Sequence, residues 1–157
     1  MNKYTLALIV NNHSGVLSKI AGLFTRRGYN IDSLSVGPIE VENLSRMTIV
    51  FNGDEQTFEQ VKKQFNKLID VIKIIDLSAE PAVFRELILV KVAVTSSNRS
   101  ELVDLVNIYR GNIIDYNKKS LIIELTGDQE KIDAFIELIT TFEIKEMVRT
   151  GFTGLLR

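Results

Sequence analysis

The apolar residues of this chain fall into short strand-like runs and longer helical stripes, and the same order of runs and stripes occurs twice. Tyr4 to Val10 is a run rich in strand formers, ended by Asn11-Asn12. Val16, Leu17, Ile20, Ala21 and Phe24 then recur at helical spacing, and Gly28 stands where a C-terminal cap belongs. Ile31 to Val36 reads as a strand broken by Gly37-Pro38, and Met47 to Phe51 as another ended by Asn52-Gly53. Phe58, Val61, Phe65 and Leu68 share one helical face behind Asp54, a residue placed to cap it. Val71 to Leu77 is a fourth strand, so the order is β-α-β-β-α-β.

Ser78 to Val83, with Pro81 in it, reads as a connection, after which the order repeats. Leu87 to Val94 is strand-like. Leu102, Val106 and Tyr109 form a helical stripe closed by Gly111. Ile113-Ile114 and Leu121 to Leu125 are strands joined by a turn at Asn117-Lys118-Lys119. Ile132, Phe135, Ile136 and Ile139 form a helix face behind Asp128, and Ile144 to Val148 ends the set. Gly28, Ile31 and Asp32 are echoed at the same spacing by Gly111, Ile114 and Asp115. The pattern predicts an α+β chain of two tandem ferredoxin-like βαββαβ domains, 1–77 and 78–157. Bare sheet edges recruit partners, so at least a homodimer is expected.

Composition narrows the function classes. The chain has 157 residues, 45% hydrophobic and 25% charged, the balance of a soluble globular protein. Domains of half this length bury little core alone and gain stability by packing or oligomerising. The net charge of -1 gives no phosphate-binding surface, which argues against nucleic acid. Cysteine is absent and His13 is the single histidine, so disulfides are excluded and a protein-only metal site is not expected. No stretch approaches the roughly 18 apolar residues of a membrane span, and the chain enters a strand pattern at once without a signal peptide. A cytoplasmic protein is expected.

Catalytic constellations are missing. There is no Cys nucleophile, no second histidine, and no HExxH, GxSxG or phosphate-loop pattern. His13 beside Ser14 is a poor dyad, because adjacent residues rarely bring their side chains into register. Glu40 and Glu42, Lys62-Lys63 and Lys118-Lys119 read as solvated surface, and Phe51, Phe58 and Phe65 as core.

One segment could hold a ligand. Asn12-His13-Ser14-Gly15-Val16 joins the first strand to the first helix. A helix start offers unpaired N–H groups and partial positive charge to a carboxylate or phosphate. Gly15 has no Cβ to hold an anion off the backbone. Asn12 adds an amide, and Asn30-Ile31 adds another beside an apolar side chain; in a dimer, the Asn30 edge of one chain could face the Asn12 loop of the other. Asn-x-Ser-Gly before a helix is equally ordinary capping chemistry, which spacing alone leaves as the more frequent outcome. The counterpart in the second half, Thr95-Ser96-Ser97-Asn98-Arg99, has no glycine and is expected to keep the scaffold without the site.

The same residues carry a family resemblance. Asn12 to Phe24, followed by Arg26-Arg27-Gly28-Tyr29-Asn30-Ile31-Asp32-Ser33-Leu34, closely resembles the start of the acetohydroxyacid (acetolactate) synthase small subunits. Leu44-Ser45-Arg46-Met47-Thr48-Ile49, Arg85-Glu86-Leu87, Arg110 to Asp115 and Arg149-Thr150-Gly151 are also similar to that family. The resemblance implies an N-terminal ACT domain, a C-terminal ACT-like domain and a homodimer. It implies a regulatory chain without its own cofactor, which activates a large catalytic subunit carrying thiamine diphosphate, magnesium and FAD. It further implies feedback inhibition by L-valine in branched-chain amino acid biosynthesis, with leucine or isoleucine bound weakly. Carried onto this sequence, the ligand positions are Asn12, His13, Ser14, Gly15, Val16, Leu17, Asn30 and Ile31. The alternative is a free-standing amino-acid sensor of the ACT type that regulates another enzyme or transcription.

Overall fold

A computed structural model describes all residues, Met1–Arg157. The chain forms two compact units: Met1–Val83 with Gly151–Arg157, and Phe84–Thr150. The expected division falls at 77/78 with the tail in the second domain; here the units divide after Val83 and the tail packs with the first unit.

The first unit contains β1 (Asn2–Asn11), α1 (Val16–Arg27), β2 (Ser33–Pro38), β3 (Leu44–Gly53), α2 (Glu55–Asn66) and β4 (Val71–Asp76). Its sheet has the order β2-β3-β1-β4, antiparallel throughout. This is the ferredoxin-like arrangement expected from the repeat. Alternation along β1 and β3 sends Leu6, Leu8, Val10, Met47, Ile49 and Phe51 toward the helices. There they meet Val16, Ile20, Leu23 and Phe24 of α1 and Phe58, Val61 and Phe65 of α2 in one core.

Local chemistry fixes the helix ends. Gly28 is left-handed at φ 69°, its N–H bonds the Thr25 carbonyl, and the Tyr29 N–H bonds the Phe24 carbonyl, which together make a Schellman ending. The Asp54 side chain accepts the Thr57 N–H, as expected of a cap. β2 starts at Ser33, two residues later than its apolar pattern suggests, and runs through Pro38. Proline is tolerated there because β2 is an edge strand and needs no outward donor.

The opposite sheet face is also covered, with Ala7, Thr48 and Val50 at most 2% exposed. The tail lies on that face. Ser33 Oγ accepts the Phe152 N–H at 2.9 Å, and Arg46 Nη2 donates to the Gly154 carbonyl at 2.6 Å. The Lys3 ammonium stands 4.5 Å from the Phe152 ring centre. The Arg157 N–H, just after the last strand, β9 (Thr153–Leu156), reaches the Pro81 carbonyl at 3.0 Å. These contacts are why the last seven residues leave the half of the sequence that precedes them.

The second unit takes in most of β5 (Ala82–Ala93), then α3 (Arg99–Ile108), β6 (Asn112–Tyr116), β7 (Ser120–Gly127), α4 (Gln129–Ile139) and β8 (Ile144–Arg149). Its strands follow the same order, β6-β7-β5-β8. Ile88, Val90, Val92, Ile123 and Leu125 pack on Leu102, Val106, Ile132, Phe135 and Ile139. Gly111 does not supply the left-handed turn after α3; Arg110 does, at φ 56°. Gly111 instead lies so close to β7 that a Cβ would meet the Glu124 carbonyl at 3.1 Å. The echo of Ile31 by Ile114 is also only positional. Ile31 packs on the first core, while Ile114 sits at a register shift in β6 and is 52% exposed.

Candidate functional site

The β1–α1 loop is placed by backbone bonds at both sides. The Asn11 N–H donates to the Asp70 carbonyl at 2.9 Å, and the Asn12 N–H to the Asn43 carbonyl at 2.8 Å. The chain then enters α1 through Gly15 at φ 90°, ψ -13°. Glycine is required at that angle, since a β-carbon would strain the left-handed backbone. Space around it is open, with no atom beyond its chain neighbours within 4 Å of where a Cβ would stand.

The helix start itself bears on the two readings of this loop. No side chain caps α1. Neither Asn12 nor Ser14 folds back onto the first turn, whereas Asp54 caps α2 and Asp128 caps α4. The first-turn amides at Val16, Leu17 and Ser18 thus have no side-chain acceptor, and no acidic residue sits in that turn. An uncapped, glycine-opened helix start with no acidic side chain in its first turn is suited to an external anion. In the second unit α3 likewise has no side-chain cap, but its loop has no glycine, Glu101 stands in its first turn, and Asn98 ties the loop to itself: Oδ1 accepts the Thr95 N–H and Nδ2 donates to the Ala93 carbonyl.

The residues expected at the site divide into two places. Asn12, His13, Ser14, Gly15, Val16 and Leu17 lie together at the start of α1. The Val16 side chain is buried in the core, so only its N–H faces the loop, while Leu17 is 46% exposed. Asn30 and Ile31 lie beyond the other end of α1, and a helix of 12 residues is about 18 Å long. One chain does not bring Asn30 to Asn12. Asn30 Nδ2 is instead held by Asp32 Oδ1 at 2.8 Å, and Asp32 also accepts from Asn52. His13 and Ser14 make no nucleophile pair, because the ring faces the Ser14 carbonyl, with Nδ1 at 3.0 Å.

Sequence reasoning missed Asp70, which organises the loop. It lies between α2 and β4 and is 8% exposed. Its Oδ1 receives Asn11 Nδ2 at 3.2 Å and His13 Nε2 at 2.7 Å, and its Oδ2 receives Lys19 Nζ at 2.9 Å. The Lys19, Asn11 and His13 bonds hold its carboxyl down at about 2. His13 is pushed above its ordinary value, first by the Ser14 carbonyl and then by Asp70. Both ring nitrogens face acceptors, so the imidazolium satisfies both bonds at once. The signal in the sequence was a lone acid within Leu68-Ile69-Asp70-Val71-Ile72, which had to be either a turn or a buried partner.

No group of three or more His, Cys, Asp or Glu side chains is arranged to hold a metal ion. No helix is long and apolar enough to cross a membrane.

The fold and the open helix start define the first unit as an ACT domain in tandem with a second, related unit. Comparison with known proteins makes this specific. The family described as "AHAS small subunit-like ACT domain" matches residues 6–73, and "Small subunit of acetolactate synthase" matches residues 85–157. The "Probable acetolactate synthase small subunit" of Archaeoglobus fulgidus is 50% identical over 155 residues, covering 99% of this chain and 97% of that protein. The acetolactate synthase small subunit of Mycobacterium bovis is 43% identical over 154 residues, covering 98% of this chain and 92% of its own. The crystal structure of the acetolactate synthase small subunit from Thermotoga maritima superposes with a TM-score of 0.93 at 40% identity, covering 100% of this chain and 98% of that one. The chain belongs to the acetolactate synthase small-subunit family. It is a regulatory ACT-type subunit, and its holoenzyme is acetolactate synthase.

Proposed function

We propose that this chain, without catalytic residues of its own, binds L-valine at the start of α1 and transmits feedback inhibition to the large catalytic subunit in the cytoplasm. The observation that carries the reading is the uncapped, glycine-opened start of α1. Valine's carboxylate takes the N–H groups from Gly15 to Leu17, and the Asn12 amide orients its polar atoms. Leucine and isoleucine bind weakly, since one methylene in an apolar pocket is worth only about 1–3 kcal/mol.

The site is completed by a second copy. β2 is an edge strand, six residues and about 20 Å long. Its end, Pro38, pairs with Ser45 beside Val10, at the Asn12 end of the sheet; its start, Ser33, follows the Asn30 loop. Antiparallel pairing of two β2 edges about a twofold axis therefore carries Asn30 of each copy toward the Asn12 loop of the other. Leu17, Val36 and Val41 are exposed apolar side chains of this region, available to enclose the isopropyl group.

Valine shifts the dimer by its differential affinity for two arrangements, and the shift passes to the partner, where thiamine diphosphate, magnesium and FAD belong. The test is reconstitution. Added to the cognate purified large subunit, this protein raises acetolactate synthase activity and makes it valine-sensitive. An unchanged, valine-insensitive rate would refute the reading.

A further inference from the structure

We infer that Asp70 is the positioning residue of the ligand loop and that, through His13, it makes effector binding proton-linked. This rests on the valine reading above and adds a form of regulation to it.

The geometry gives Asp70 an unusual reach. One carboxylate ties the end of β1 through Asn11, the loop through His13, and the first helical turn through Lys19. Its own carbonyl holds the Asn11 N–H. Strand, loop and helix, the three pieces that aim the α1 amides, are therefore fixed against a single side chain that is itself 11% exposed. Asp70 does not cap the helix, so the amides stay open while their frame is set.

His13 turns this frame into a titratable one. Its Nε2 meets the Asp70 carboxylate and its Nδ1 meets the Ser14 carbonyl, both of them acceptors only. A neutral ring has one N–H and must abandon one of the two bonds. The bond to Ser14 holds the residue directly before Gly15, so losing it frees the turn that presents the amides. Charge acts in the same direction. The charged groups acting on the ring are Asp70, from the α2–β4 connection, and Lys19, from α1. With His13 protonated this trio is net positive beside the helix start; with His13 neutral it carries no net charge. A carboxylate ligand is therefore held better by the protonated form, and by linkage its binding raises the His13 pKa further.

The chain's single histidine makes the test direct. Ring resonances of His13 are followed by NMR against pH in the full chain, with and without saturating valine. Valine affinity is measured by calorimetry at about pH 6 and about pH 8.5, on either side of an ordinary histidine pKa. His13 titrates above 6.5 in the free protein and higher with valine. The valine Kd weakens by about fivefold or more between the two pH values, the lower end of ordinary two-site couplings. His13→Gln binds at the weaker level and loses the slope, and Asp70→Asn lowers the free-protein titration. Wild-type binding that ignores pH and leaves the His13 titration unmoved overturns the inference without recourse to any variant. A slope that survives in His13→Gln overturns it too. Absence of valine heat at every pH is a different outcome, which removes the ligand reading and this inference with it.

Discussion

Gly151 lies directly against the backbone of Leu34: a Cβ at position 151 would stand 2.5 Å from the Leu34 carbonyl oxygen. The tail crosses the sheet of the first unit at this point, one residue before Phe152 bonds Ser33. Gly151→Ala forces backbone away from backbone and is expected to destabilise the protein by about 1–3 kcal/mol, the usual range for overpacking. Gly37 in β2 has no such neighbour within 4 Å of where its Cβ would stand, so Gly37→Ala should stay within about 0.5 kcal/mol of wild type. Urea denaturation of both variants checks the contrast, and equal midpoints would show that the tail does not press on Leu34.

In the second unit, Glu86 is 5% exposed and is gripped by Arg149 through Nε at 3.1 Å and Nη2 at 2.7 Å. Arg149 also reaches Asp133 at 2.8 Å. Removing the guanidinium strands a carboxylate in the interior. Arg149→Met should therefore cost about 3–5 kcal/mol, as broken buried pairs do. Removing both charges restores much of that loss, because the penalty lies in the unpaired ion. The double variant Glu86→Leu with Arg149→Met is expected to be more stable than Arg149→Met alone. A double-mutant cycle by chemical denaturation measures this, and additive losses would rule out the coupling.

What the sequence disclosed was whatever short-range pattern controls. The eight strands from β1 to β8 follow from apolar runs, whereas β9 does not, and the α1 ending follows from Gly28 alone. Asp54 and Asp128 were legible for the same reason, since each caps an amide three residues ahead. The long-range contacts were not legible. Asp70 lies 57 residues from His13, and nothing local marks it as the loop's partner. The tail has no periodicity to assign it to either half, so only contacts such as Arg46 to Gly154, 108 residues apart, place it. Gly111 misled because glycine serves both left-handed turns and close approaches, and Arg110 took the turn. The α1 start was visible as a segment, but whether Asn12 and Ser14 cap it depends on where their side chains point.

Gly15 is the position where strain and charge must be separated. Its φ of 90° penalises any side chain, so a loss of valine response in Gly15→Asp alone proves little. Gly15→Asn is the matched control, because Asn and Asp share size and tolerance of positive φ. Both variants are expected to melt at similar temperatures. Only Asp places a negative charge at the helix start, where it repels the ligand carboxylate. Gly15→Asp should abolish valine inhibition of the reconstituted enzyme while still activating it, and Gly15→Asn should retain measurable inhibition. Equal loss in both would point to backbone strain or bulk rather than to an anion site.

The Asp70 cluster also fixes how stability depends on pH. The Asp70 carboxyl falls from 3.8 to about 2 on folding, so its contribution is fully present above about pH 4 and is lost as pH falls toward 2. His13 shifts the other way. Its contribution is fully present below 6.5 and is lost as pH rises through its higher folded value. The two together act fully only in the window between those limits. Asp70→Asn removes the carboxylate from both balances, and is expected to flatten the acid side of the stability profile and to reduce, without abolishing, the alkaline slope that the Ser14 carbonyl sustains, while lowering the plateau between them. His13→Gln should flatten the alkaline side alone. Urea midpoints measured across this pH range separate the two variants. An Asp70→Asn profile that runs parallel to wild type would mean the carboxylate does not carry the linkage.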